Sequence, residues 1–146
     1  MARQRTSEQQ IELAKNFLRT LDKQGDMFAL VTDDIEMVFP KWGVARGKAE
    51  LARMFQDLGG YVAAITHDPK SFICMAGDGH VCIEGVSAGT LTNGKTWKPD
   101  GANAGRFCTV LEFEDSLIKR ARIHLDPDYA DSTEREYHWR RPVTRC

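Results

Sequence analysis

The stretch RFCTVLEFEDSLIKRARIHLDP, residues 106–127, decides the fold of this 146-residue chain. It reads as two strands, 106–114 and 117–126, joined by the tight turn Glu114-Asp115-Ser116. Successive side chains of a strand point to opposite faces. Leu117, Ala121, Ile123 and Leu125 therefore share one face, with Lys119 at its start, while Ile118, Arg120, Arg122, His124 and Asp126 share the other. If the apolar face looks inward, the chain has an oily cavity with a polar rim. If the polar face does, His124 and Asp126 become candidate proton-transfer groups.

Working outward, 42% hydrophobic and 28% charged residues are ordinary for a globular chain, and the length fits one domain over residues 1–146. A net charge of −1 gives no electrostatic basis for nucleic acid or an acidic membrane surface, and neither is expected as a partner. The terminal run HWRRPVTRC reads as a solvated tail. No run of apolar residues is long enough to span a bilayer, and MARQRTSEQQ has no signal-peptide core, so the expected location is cytoplasmic. Cys74, Cys82, Cys108 and Cys146 form no CxxC pair, and the first three lie in apolar runs where cysteine acts as a small hydrophobe. His67, His80, His124 and His138 are dispersed without zinc-type spacing. No metal and no cofactor are expected.

A first helix is expected over 7–23, with Ser7 and Gln10 as its capping box, an apolar stripe through Ile11, Ala14, Phe17, Leu18 and Leu21, and Gly25 just past its end. A short second helix fits 26–31. Residues 35–39 read as a strand closed by Pro40. A third helix begins after Gly47, carries Leu51, Met54, Phe55 and Leu58, and ends or bends at Gly59-Gly60. Strands follow over 71–76, 81–92, 106–114 and 117–126, with turns at Gly77-Asp78-Gly79 and Asn93-Gly94 and a loop at 98–105. A last short helix fits 131–137. Helices followed by antiparallel strands argue an α+β domain, one helical layer on a curved sheet.

This order of motifs resembles the nuclear transport factor 2-like superfamily. The likeness rests on Gly25-Asp26, on Val31-Thr32-Asp33-Asp34 before Phe39-Pro40, on Arg46-Gly47-Lys48 opening a helix, and on Phe113-Glu114-Asp115, Ile118 and Leu125-Asp126. The superfamily includes ketosteroid isomerase, SnoaL-like polyketide cyclases, limonene epoxide hydrolase and scytalone dehydratase. The resemblance implies a cone: a strongly curved antiparallel sheet on about three N-terminal helices, with a pocket at one end and a homodimer formed through the sheet. It also places Ala121, Ile123 and Leu125 toward the pocket.

Carried over residue by residue, known catalytic sets do not fit. The isomerase base falls at Phe39, its tyrosine near Phe17 or Leu18, and its second acid near Thr109, so that enolate mechanism lacks its base and donors. The epoxide hydrolase set falls at Gly85, Ser87 and Ile123, none of them able to play its part. The acidic residue near the last strand end of some cyclases corresponds to Asp126.

Asp126 either shuttles a proton at an apolar pocket mouth or stops the strand with Pro127. His124 either pairs with it or stands in a row of exposed charges. The expected ligand-binding set is Phe39, Trp42, Met54, Phe55, Leu58, Tyr61, Arg106 and Ile123. Trp42 and Tyr61 would frame the entrance, the apolar side chains would line the wall, and Arg106 would orient a ligand carbonyl or anion. The expected function is handling of a small hydrophobic, cyclic or carbonyl-bearing molecule by acid/base isomerisation, cyclisation or dehydration. The rival expectation is a non-catalytic binding or protein-assembly module.

Overall fold

The computed structural model describes residues 6–98 and 105–125. Asp126, His138, Cys146, the helix expected at 131–137, the basic terminal run and positions 99–104 of the expected loop lie outside the described residues.

Helix α1 (Ser7–Asp22) starts one residue earlier in its cap than the sequence suggests. Thr6 accepts from the Gln9 N–H while the Gln9 side chain accepts from the Thr6 N–H, which ties up two otherwise orphaned donors. The helix closes by a Schellman arrangement: Gly25 N donates to Thr20 O and Gln24 N to Leu21 O. The left-handed residue is Gln24, φ 51°, rather than Gly25. The expected second helix is a single 3-10 turn, Phe28–Leu30, nucleated by Asp26 Oδ1 accepting from the N–H groups of Phe28 and Ala29. Among the described residues, two α-helices therefore stand where about three N-terminal helices were expected. The second, α2 (Gly47–Gly59), ends at the Gly59-Gly60 pair.

Strands β1 (Val31–Phe39), β2 (Gly43–Arg46), β3 (Val62–His67), β4 (Ile73–Gly77), β5 (His80–Leu91), β6 (Thr96–Trp97), β7 (Arg106–Glu114) and β8 (Leu117–Leu125) form one eight-stranded sheet. Its spine runs β2-β1-β8-β7-β5-β3, with β4 and β6 also paired to β5. All pairs are antiparallel except β1 with β8. The sheet is thus mixed, a correction to the antiparallel expectation. The long excursion from β1 to β8 leaves either direction open, whereas hairpin neighbours are forced antiparallel.

The long strand β5 carries the curvature. Its first half pairs with β4 and β7, and its second half with β3 and β6. Two glycines let aromatic rings close on this bend. A Cβ on Gly85 would lie 2.9 Å from Phe72 and 3.0 Å from Phe107, and one on Gly89 would lie 2.0 Å from the Trp97 ring. The helices cover one face, α1 against β3, β4 and β5, and α2 against β1, β2 and β3. Phe17, Ile35, Met37, Leu51, Ile83, Leu111 and Ile118 are fully buried between the layers.

The β7–β8 hairpin corrects the strict alternation read from the sequence. Glu112 pairs with Arg120 but Phe113 pairs with Ile118, so Lys119 is an extra residue in a β-bulge. The bulge turns Ile118 inward beside Ala121 and Ile123, and leaves Lys119 to pair with Glu114.

Candidate functional site

Between α1, the end of α2 and the inner faces of β3, β5, β7 and β8 lies a cavity of about 650 Å³. Its walls are mostly apolar: Phe17, Leu18, Phe28, Phe39, Phe55, Leu58, Phe107, Ile123 and Leu125. These side chains reach it because helical spacing and strand alternation send them to the same side.

The polar part of the wall is built around Asp22 and His67, which also line the cavity. Asp22 is the last residue of α1 and His67 the last of β3. Asp22 Oδ2 accepts from the His67 backbone N–H at 2.9 Å, and Oδ1 lies 2.6 Å from His67 Nδ1. The side chains are only 20% and 7% exposed, respectively. An ionised carboxylate accepts from Nδ1–H, which fixes the tautomer and leaves Nε2 with its lone pair. The imidazole is further held edge-on against Phe107, ring centroids 4.8 Å apart. A carboxylate that orients an imidazole at an apolar wall is a proton-transfer arrangement.

Beside the dyad, Ser87 sits opposite His67 in the β3–β5 register. Its hydroxyl donates to Gly105 O and accepts from Trp97 Nε1, tying β5 to β6 and to the start of β7. Thr109, 2% exposed, contributes a second hydroxyl-bearing side chain to the wall.

Of the residues singled out from the sequence, Phe39, Phe55, Leu58, Arg106 and Ile123 line the cavity. Met54 is buried in the core away from the lining. Trp42 and Tyr61 are not part of the lining either; they pack against each other with centroids 6.2 Å apart. Trp42 Nε1 is buried without a hydrogen-bond partner among the described residues. His124 is exposed on the outer face, opposite Cys108, because alternation sends Ile123 and Leu125 inward. That position takes it away from the cavity. Asp126 lies outside the described residues.

Sequence reasoning passed over the Asp22–His67 pair because 45 positions separate its members. One local signal was present. A carboxylate in the last turn of a helix opposes the macrodipole, so it calls for a donor partner. Among the described residues, no cluster of three or more histidine, cysteine or acidic side chains has the arrangement of a metal site. No helix among them is long and apolar enough to cross a membrane.

Comparisons with known proteins fit this architecture. A protein of the NTF2-like group from Burkholderia pseudomallei, described as of unknown function, superposes with a TM-score of 0.68 at 16% identity, over 81% of this chain and 91% of that one. A putative polyketide cyclase from Xanthomonas campestris gives 0.66 at 14% identity, over 82% and 92%. An LEH-like epoxide hydrolase from M. tuberculosis gives 0.62 at 19% identity, over 85% and 87%. At these identities the likeness is one of fold. No curated protein matches the chain. The family model for the SnoaL-like domain matches residues 15–121, and by that match the chain belongs to the SnoaL-like family, within the NTF2-like superfamily.

Proposed function

We propose that this chain binds a small hydrophobic, carbonyl-bearing molecule in the cavity and moves a proton on it with His67, held by Asp22. The observation that carries the reading is the Asp22–His67 pair at the wall of a cavity lined by phenylalanine and leucine side chains. Apolar walls with a few placed polar groups suit a ligand of this class. Nε2 is the proton acceptor and Nδ1–H stays on Asp22. Two of the similar structures are described as a putative polyketide cyclase and an LEH-like epoxide hydrolase, which supports chemistry on a small organic ligand. The second reading, non-catalytic binding, is favoured by Phe39 standing where the isomerase resemblance would put its base.

The experiment uses 2-tetralone, a bicyclic ketone with acidic α-hydrogens, in deuterated buffer. Wild-type protein is expected to accelerate α-hydrogen exchange, followed by NMR, by roughly 10²–10⁴-fold over the His67→Gln variant. Equal exchange rates in the two proteins would sink the proton-transfer reading. Saturable binding without exchange would establish the binding module instead.

We also propose that the chain forms a homodimer through the outer face of its sheet. Ile73 and Met75 on β4, 57% and 60% exposed, support this. Sedimentation of wild type and of Met75→Glu is the test: a dimer expected for the first and a monomer for the second. A monomeric wild type would remove the proposal.

A further inference from the structure

Most polar side chains of the cavity wall are already engaged, and Thr109 is left over. Asp22 and His67 hold each other. Thr20 donates to Asn16 O, and Ser87 donates to Gly105 O while accepting from Trp97 Nε1. Gln24 and Arg106 are exposed, where water serves them. Thr109 is 2% exposed, and among the described residues its hydroxyl makes no hydrogen bond. Its cross-strand partners are Ile83 on β5 and Ile123 on β8, both buried on the inner face with it. A hydroxyl among apolar neighbours costs stability unless a partner completes it. What lies before it is the cavity, which it lines together with Phe107 and Ile123.

We propose that Thr109 is a subsite for a second oxygen of the ligand, a hydroxyl or carbonyl remote from the carbon that gives up its proton. Resting on the proton-transfer reading of this cavity, the subsite narrows the ligand to a ketone with a hydrogen-bonding oxygen at its far end. The strand registers set the order along the wall: His67 is level with Ser87, Phe107 with Gly85 and Thr109 with Ile83. Phe107 therefore stands between the two sites, with the His67 imidazole packed on its ring. From Phe107 to Thr109 is one repeat of the strand, about 6.6 Å on the same face. The oxygen of a reacting ketone is only two bonds from the carbon that loses its proton, so the group at Thr109 is a different one. A threonine hydroxyl donates and accepts, which suits either a carbonyl or a hydroxyl. A ligand ending in bare hydrocarbon takes water from this hydroxyl without replacing its hydrogen bond, and binds more weakly.

The test compares 2-tetralone with 6-hydroxy-2-tetralone, whose hydroxyl lies across the ring system from the acidic C1. Dissociation constants are measured by calorimetry on the full chain as wild type, Thr109→Val, Ser87→Ala and His67→Gln. Wild type is expected to favour the hydroxylated ketone by roughly 10-fold, and Thr109→Val, which keeps the shape, to bring that ratio to about 1. Thr109→Val is also expected to melt about 2–5 °C higher, because a costly unpaired hydroxyl is gone. Ser87→Ala and His67→Gln are expected to keep the preference. A ratio near 1 in wild type, or a preference that survives Thr109→Val, would overturn the proposal. A lower melting temperature for Thr109→Val would reveal a protein partner for the hydroxyl and overturn it as well. Failure of both ketones to bind would remove it together with the proposed function. Binding is read without proton transfer, so a silent exchange assay with an intact preference counts against His67 chemistry alone.

Discussion

At the residue scale, Asp22 does two jobs with two oxygens, holding a backbone N–H and an imidazole Nδ1. Asp22→Asn separates them. Its amide oxygen still accepts from the backbone N–H, but its NH₂ faces Nδ1 and drives the proton to Nε2. The fold is expected to survive while the exchange rate falls to that of His67→Gln, and ¹⁵N NMR of His67 will show the exchanged tautomer. Asp22→Ala also leaves the half-buried His67 N–H unpaired and is expected to cost about 1–3 kcal/mol in urea unfolding. Gly89 makes a contrasting prediction. A Cβ there would meet the Trp97 ring at 2.0 Å and Ala64 O at 2.5 Å, so Gly89→Ala is expected to destabilise by about 1–3 kcal/mol or more.

At the element scale, Gly59 is a glycine of the opposite kind. It closes α2 with nothing within 4 Å of a built Cβ, so Gly59→Ala is expected to raise the melting temperature, by up to about 1 kcal/mol of stability. The elements themselves were legible where their periodicity was strong. Much of β5 and β7 and the second half of β8 alternate clearly, and α2 carries an unbroken stripe. β3 was passed over because Val62-Ala63-Ala64-Ile65 has no clear alternation, and its existence depends on β5 beside it. β2 and β6 are too short to declare themselves without partners. Thr6 with Gln9 and Ser7 with Gln10 satisfy the same capping-box spacing, so only the path of the entering chain separates them. Cavity-wall residues on regular elements, Phe39, Phe55, Leu58 and Ile123, could be named from the sequence. The dyad could not, because it is made by the end of a helix meeting the end of a strand.

At the scale of the whole molecule, the outer sheet face carries its own electrostatics. Arg120 bonds both oxygens of Glu112, at 3.0 and 2.8 Å, and His80 stands 3.6 Å from the same carboxylate. The Arg120 hydrogen bonds hold the Glu112 carboxyl below its ordinary value of 4.5. A lowered folded value means that the unfolded chain takes up the proton first. The stabilisation is present above pH 4.5 and is lost as pH falls from there through the folded value. Thermal unfolding from pH 7 to pH 3 is expected to show a drop in this range, and Glu112→Gln to flatten it. Because the cross-link joins β7 to β8, its loss acts on the hairpin that closes the cavity from behind.

The bulge at Lys119 sets where this chain tolerates a change of length. Arg120 faces out and Ala121 in, so a residue directly preceding Arg120 in a regular strand would face in. Ile118 already does. Removing Lys119 would therefore let the strand run through without inverting a single cavity-side residue, at the loss of its pairing with Glu114. The same one-residue deletion anywhere in the segment Ala121-Arg122-Ile123 would invert the faces of every strand residue on one side of it and put a charged or polar side chain toward the core. Over the space of a few residues the hairpin passes from a length-tolerant tip to a segment whose count is fixed.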